Sequence, residues 1–289
     1  MSCLKVNNLS YSYGRKKALE DISFEVRDGL IGVLGANGAG KTTAMKLLTT
    51  LFSLQQGEIT LDEFDYKKEV KNIRKNLGYL PQGFNTYNNL TGREFLEIVA
   101  DLKIDKDKNF IKQHLIEIID SLEMKDYIDN KIKSYSGGMK QKLGFAQVLI
   151  GDPKLIVVDE PTVGLDPEQR NMIRELFPII SRGRIVMATT HIVEDIEYYC
   201  NYLLVLKEGR LIYKGTKDDF IEKAKGMIWK TKGDAEVFQL IKSKGEILTC
   251  AQKGEILELK YISKEKLTCD SEAIEPNLQD AYIYYQHKL

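Results

Sequence analysis

Residues 30–43 read LIGVLGANGAGKTT, and no other stretch constrains the fold as tightly. A short, fully apolar run comes first and reads as a strand buried on both faces. The segment GANGAGKT, Gly35 to Thr42, then fits GxxxxGK[ST] at every fixed position, and a helix-forming run, TAMKLLTTL, follows it. Glycines let backbone N–H groups turn inward as an anion-binding nest. The helix behind them aims the positive end of its dipole at the same point. The order strand, glycine loop, helix belongs to an α/β sheet, and its chemistry is that of a phosphate site. Gly35, Asn37, Gly38, Ala39 and Gly40 supply the cradle, with Thr43 just behind it. Lys41 brings a full charge to the β- and γ-phosphates, and Thr42 offers a hydroxyl to Mg²⁺.

Such a site needs a second element to hold the metal. LIVVDE, residues 155–160, puts four apolar residues before Asp159 and Glu160. A carboxylate at the carboxyl end of a buried strand faces the crevice in which α/β sheets bind ligands. Asp159 is therefore read as the Mg²⁺ partner, through water, and Glu160 as the general base that polarises an attacking water.

RIVMATT and YLLVLKEG repeat the buried-strand texture, while DISFEVRDG alternates Ile22, Phe24 and Val26 as a half-buried strand. GEITLD and NLGYLPQ read as shorter strands. Helical patterns lie between: Phe95, Leu96, Val99 and Leu102 share one face, as do Ile111, Leu115, Ile118 and Leu122. The alternation predicts an α/β fold, a P-loop NTPase core with a mostly parallel sheet, flanking helices and N-terminal antiparallel β elements. Residues 84–150, nearly all helical in pattern, are expected as an inserted helical subdomain. The texture changes after residue 216. EVFQLIKSKG reads as a helix, EILELKYI as a strand, and EPNLQDAYIYYQ as a helix with Leu278, Ala281, Tyr282 and Tyr285 on one stripe. Residues 1–216 are thus expected as the nucleotide-binding domain and 217–289 as a small α/β appendage.

Composition narrows the function. Forty-two Lys and Arg balance 42 Asp and Glu, which argues against nucleic acid as the main partner. Cys3, Cys200, Cys250 and Cys269 make no metal-binding spacing and read as free thiols. No run reaches the roughly 18–20 apolar residues of a membrane span, so a soluble chain is expected, with any membrane role arriving through a partner.

SYSGGMKQ, residues 134–141, selects among nucleotide-binding families, because it resembles the signature of the ATP-binding cassette (ABC) family, usually close to LSGGQ. It precedes LIVVDE, as in that family. Tyr13 resembles the aromatic that stacks on adenine, with Tyr11 as the competing candidate. Gln82, in LGYLPQ, resembles the glutamine that joins Mg²⁺ and the attacking water. Asp166, in PTVGLDP, resembles the aspartate of the loop linking two sites. His191, in ATTH, resembles the switch histidine that contacts the γ-phosphate. The resemblance covers residues 3–215. Tyr135 and Met139 depart from the usual signature, and VGLD replaces the commoner SALD, but Lys41, Asp159, Glu160 and His191 are intact.

The resemblance implies an ATP hydrolase using ATP and Mg²⁺. It implies that two cassettes pair head to tail, identical or not, with Ser136, Gly137 and Gly138 donating to the γ-phosphate of ATP on the other subunit, from a helix starting near Met139. It implies a polytopic membrane permease as partner, docked near Gln82 and the following GFNTYNNLTGREF, and a place on the cytoplasmic face of the cell membrane. The C-terminal tail looks like that of cassettes serving bacterial exporters. The alternative is a non-transport ABC ATPase acting on nucleic acid or the ribosome, which usually carries insertions or tandem cassettes missing here.

Overall fold

The computed structural model describes residues 1–84, 86–254 and 256–288, with Lys288 described by its backbone alone. Asn85, inside the stretch expected to face a permease, and Glu255, at the head of the expected EILELKYI strand, lie outside the described residues. The chain forms two compact units, Met1–Lys214 and Gly215–Leu289.

In chain order the first unit holds β1 (Cys3–Tyr13), β2 (Lys16–Arg27), β3 (Gly29–Leu34), α1 (Lys41–Leu48), β4 (Gln56–Leu61), β5 (Phe64–Asp65), α2 (Val70–Lys75) and β6 (Leu77–Leu80). Then come α3 (Gly92–Lys103), α4 (Lys108–Ser121), a 3₁₀ turn (Ile132–Ser134), α5 (Gly137–Leu149), β7 (Leu155–Asp159), α6 (Pro167–Ile180), β8 (Ile185–Thr190), α7 (Val193–Tyr199), β9 (Tyr202–Lys207) and β10 (Arg210–Thr216), whose last two residues fall past the boundary of the unit.

These strands make two sheets. One has the order β2-β1-β4-β5, with β1 antiparallel to β2 and β4. The other has the order β10-β9-β3-β8-β7-β6, parallel from β9 through β6. Burial explains the patterns. Ile22, Phe24 and Val26 of β2 are buried in alternation, as on a sheet covered on one face. Every residue of β7 and β8 is buried, as parallel strands covered on both faces require. The core between the sheets takes Leu4, Val6 and Phe24 from one side, Val33, Val157 and Met187 from the other, and Met45 and Leu48 of α1 between them. Parallel pairing in this order brings the carboxyl ends of β3, β7 and β8 to one edge. The first unit is therefore an α/β P-loop core with a parallel sheet and N-terminal antiparallel β elements.

Three helices occupy residues 92–149. α3 starts on a capping box, Thr91 with Glu94. Its buried face differs from the expected one. Phe95, Leu96 and Ala100 are buried, but Leu102 is 84% exposed. Leu102 lies about 200° around the helix from Ala100, on the solvent side of a face centred on Leu96 and Ala100. α5 also differs. It starts at Gly137, not near Met139, because the Ser136 hydroxyl accepts from Met139 N at 3.2 Å and caps the helix there. The two glycines are thus its first residues and Ser136 is the cap.

The second unit contains α8 (Lys217–Glu222), β11 (Ile228–Gly233), α9 (Ala235–Lys244), β12 (Glu246–Lys253), β13 (Ile256–Ile262), β14 (Glu272–Ala273) and α10 (Leu278–Lys288). Its sheet has the order β12-β13-β11-β14, with neighbouring strands antiparallel. Ile241, Leu259 and Tyr261 form its core, with Trp229 and Phe238 packed against them. On α10 the buried stripe is Leu278, Ala281, Tyr284 and Tyr285; Tyr284, one helical turn beyond Ala281, replaces the expected Tyr282. Tyr285 stacks on Phe220 of α8 with centroids 4.5 Å apart.

Candidate functional site

The loop between β3 and α1 has the backbone its glycines permit. Gly40 sits at φ 104°, a left-handed value. A Cβ there would also lie 2.7 Å from Leu19 Cδ2 and 2.8 Å from the Ala18 carbonyl oxygen. At Gly35 a Cβ would lie 2.7 Å from the carbonyl oxygen of Leu206, so β9 approaches the loop where only glycine fits. Ala39 is buried in the core and leaves its backbone to the loop.

Lys41, the first residue of α1, is only 5% exposed. Its Nζ donates to the carbonyl oxygens of Gly35 at 2.6 Å and Ala36 at 3.3 Å. Burial pushes its ammonium below the usual lysine range, against the pull of the Glu160 and Asp159 carboxylates. Thr42 is exposed beside it, and Thr43 is buried with Oγ1 3.4 Å from the Tyr13 hydroxyl. Tyr11 stacks on Phe52 at 5.4 Å and is outside the cleft, whereas Tyr13 lines it.

β7 ends at Asp159, which is buried and accepts from Thr189 Oγ1 of β8 at 2.5 Å. Desolvation raises its pKa, with the neighbouring Glu160 charge adding to the rise; the Thr189 hydroxyl and Lys41 oppose it. Glu160 follows at φ 50°, a strained value for a residue with a side chain. Its N–H donates to Thr189 O and Oγ1 at 3.1 and 3.0 Å, which holds that conformation. Its carboxylate then meets three groups from three other segments. His191 Nδ1 lies 3.1 Å away, Gln82 Nε2 donates at 3.4 Å, and Lys41 Nζ is 4.0 Å off.

These groups line a cleft of ≈ 650 Å³ with Tyr13, Asn37, Gly38, Gly40, Thr42 and Thr43. Lys16, Lys17, Val163 and Glu208 also line it. Sequence reading missed these four; the Lys-Lys pair three residues after Tyr13 was the one available signal. A larger cleft of ≈ 920 Å³ opens at the amino-terminal ends of β6, β7 and β8, near Asn76, Gly151 and Arg184. Lys41 and Glu160 line the smaller cleft and not this one, and Asp159, buried behind Glu160, lines neither, so the chemistry belongs to the smaller cleft.

Ser136, Gly137, Gly138 and Asp166 are not among the residues lining that cleft. Ser136 caps α5, and Asp166 caps α6 by accepting from Gln169 N at 2.8 Å. Among the described residues no group of three or more His, Cys, Asp or Glu could hold a metal alone. The Thr42 hydroxyl, the Asp159 carboxylate and the Gln82 amide are hard oxygen donors. Such a sparse set suits Mg²⁺, which takes one or two carboxylates and completes its shell with substrate phosphates and water.

The sequence model of the ABC transporter family matches residues 19–163. The ABC transporter ATP-binding protein NatA of Bacillus subtilis (strain 168) is 32% identical over 71% of this chain and 85% of its own length. The Nod factor export ATP-binding protein I of Burkholderia orbicola (strain AU 1054) is 35% identical over 74% of this chain and 71% of its own. A solved structure described as the ATP binding subunit of an ABC transporter matches with a TM-score of 0.67 and 27% identity, over 76% of this chain and 92% of that one. The cbiO1 protein of Clostridium perfringens matches with a TM-score of 0.68 and 26% identity, over 76% and 91%.

Proposed function

Because the chain belongs to the ABC transporter family as an ATP-binding, ATP-hydrolysing subunit, we propose that the cleft around Lys41 is the hydrolytic site and Glu160 its general base. The observation that carries this is the convergence of His191, Gln82 and Lys41 on the Glu160 carboxylate, at 3.1, 3.4 and 4.0 Å. The loop Gly35–Thr43 cradles the phosphates, Lys41 neutralises them, and Tyr13 stacks on the adenine. Lys41 is already desolvated, so an arriving phosphate replaces two carbonyl oxygens with a charge of opposite sign. His191 contacts the γ-phosphate while it orients Glu160, and Gln82 positions the attacking water. Thr42, Gln82 and, through water, Asp159 would hold Mg²⁺, which when bound would neutralise charge developing on the phosphates.

Two such subunits pair head to tail, each offering Ser136, Gly137 and Gly138 to ATP bound by the other. Asp166 lies on the loop between the two sites. The exposed position of Ser136 and Gly137 on the first turn of α5 supports this reading. ATP then binds both subunits and favours the closed pair, and hydrolysis removes that bridge and returns the pair to the open state. Residues 1–216 act as the ATP-binding domain with the helical subdomain 84–150 inserted, and 217–289 as an extension; the division of the chain at Lys214 and Gly215 supports this. Among the described residues no helix is long and apolar enough to cross a membrane. A polytopic permease therefore supplies the membrane path and holds this subunit at the cytoplasmic face. The Burkholderia relative named for export supports outward transport.

Glu160→Gln tests the site. It is expected to keep ATP binding, to lower turnover by about a hundredfold or more, and to accumulate an ATP-bound dimer on size-exclusion chromatography. Turnover near that of the wild type would remove Glu160 from the role of base.

A further inference from the structure

Away from the reacting groups, one carboxylate is fully buried and bound from two directions. Asp195, on α7, has no exposed surface. It accepts from Thr162 Oγ1 at 2.5 Å. Its Oδ1 also takes Arg174 Nη2 at 2.5 Å and Nε at 3.1 Å. Arg174 comes from α6, with its guanidinium 4.5 Å from the Tyr198 ring centroid and Nη1 3.2 Å from Asn171 Oδ1. A buried charge persists only when paired and hydrogen-bonded, and removing one partner is costly. The three side chains therefore act as one rigid joint.

The joint sits where the site most needs it. Thr162 is fully buried and lies two residues after Glu160. Asp195 lies four residues after His191, in the helix that starts at Val193. One carboxylate thus ties the segment leaving Glu160 to the segment leaving His191. Between Glu160 and Thr162, the Pro161 carbonyl is held from the other side by Gln141 Nε2 of α5 at 2.9 Å. Arg174 belongs to the helix whose Met172 and Gln169 face the glycines of α5. A Cβ on Gly138 would lie 2.6 Å from Met172 Cε, and one on Gly137 would lie 3.2 Å from Gln169 Oε1.

We infer that Thr162, Arg174 and Asp195 are positioning residues for hydrolysis: their joint holds the strained Glu160 against His191 and ties both to the helix that backs the α5 glycines. The inference rests on the hydrolytic reading of Glu160. Thr162 gives the cleanest probe, because Thr162→Val keeps the shape and removes only the donor to Asp195, and Thr162→Ser restores the hydroxyl.

Turnover per nucleotide-binding site, KM for ATP and the melting temperature are measured for both variants beside Glu160→Gln. Thr162→Val is expected to lose about tenfold to a hundredfold in kcat with KM within about threefold of the wild type, and Thr162→Ser to recover most of the loss. A purely structural role would lower the melting temperature and leave turnover per folded site unchanged. Wild-type kcat in folded Thr162→Val overturns the inference. Should Thr162→Val not fold, Arg174→Gln carries the same test, since it weakens the joint at its partly exposed end. Wild-type turnover in Glu160→Gln would instead overturn the hydrolytic reading, so the two failures are distinct.

Discussion

Replacing Gly137 by alanine asks what the first glycine of α5 is for. Gly137 is exposed and is absent from the glycines with positive φ. An added Cβ would meet only Gln169, at 3.2 Å from Oε1, the far end of a flexible side chain. Nothing in the fold resists it. Alanine is favoured over glycine in a helix by up to about 1 kcal/mol; in the first turn, a few tenths is the realistic gain. The melting temperature of Gly137→Ala is therefore expected to stay level or rise by about 1 °C. Gly138 differs. It is buried, and its Cβ would lie 2.6 Å from Met172 Cε. Forcing Met172 aside costs about 1–2 kcal/mol, and the helix gain offsets part of it.

Function should move the other way. If the partner's phosphate docks on the backbone of Gly137, a methyl group there holds it off by about 1 Å, a misplacement worth about a hundredfold in rate. The assay pairs a thermal melt with phosphate release at saturating ATP, and adds binding of a fluorescent nucleotide to dilute protein. The expected result is a protein as stable as the wild type that binds nucleotide normally and turns over at about a hundredth of the rate. A stable Gly137→Ala with wild-type turnover would refute the reasoning, because Gly137 would then be a helix residue that touches no phosphate.

Two further predictions concern charge under burial. Burial pushes the Lys103 ammonium down to about 8 from its ordinary 10.5. The unfolded chain thus holds that proton more tightly, and wild-type stability rises as pH climbs between those values. Lys103→Met is expected to be more stable than the wild type by about 1–3 kcal/mol at neutral pH and to lose that lead by pH 10.5, read from urea midpoints. In the second unit, Asp280 accepts from Lys260 Nζ at 2.6 Å and from Asn277 N at 2.9 Å, and its own N–H donates to Asn277 Oδ1 at 2.8 Å. Asp280→Ala leaves a mostly buried ammonium and removes the carboxylate that accepts from Asn277 N, while Asn277 Oδ1 still caps the backbone N–H at 280, so a destabilisation of about 2–4 kcal/mol is expected; hydrogen exchange in α10 unchanged from the wild type would count against it.

What was legible in the sequence was chemistry carried by spacing along one segment. GANGAGKT, LIVVDE and the alternation of β2 each hold their meaning within a few residues, because nest, strand end and pleat are local geometries. Faces were harder. Leu102 fits the same helical period as Phe95 and Leu96, yet it is Ala100 that turns inward, since the buried arc is set by what packs on α3. The start of α5 lies two residues ahead of the expected Met139, because the Ser136 cap sets the first turn and its bond to Met139 N forms only once the turn is built. Residues that act by meeting a distant segment left little trace. Lys16, Val163 and Glu208 reach the cleft only through the fold, and Thr162, Arg174 and Asp195 look like ordinary loop and helix residues until the chain brings them together.

The glycine pair shows how far spacing goes. SGG marks the segment, but the roles of its members separate only in three dimensions. Ser136 closes the helix end, and Gly138 makes room for Met172. Of the two glycines, only Gly137 is exposed, with nothing but the tip of Gln169 near its missing side chain. Glycine at this exposed first-turn position forgoes only about a few tenths of a kcal/mol of helix preference, and docking of a phosphate on its backbone gives it a role that its own fold does not. Gly137 is therefore the residue at which the phosphate-docking reading and a purely structural reading give opposite results.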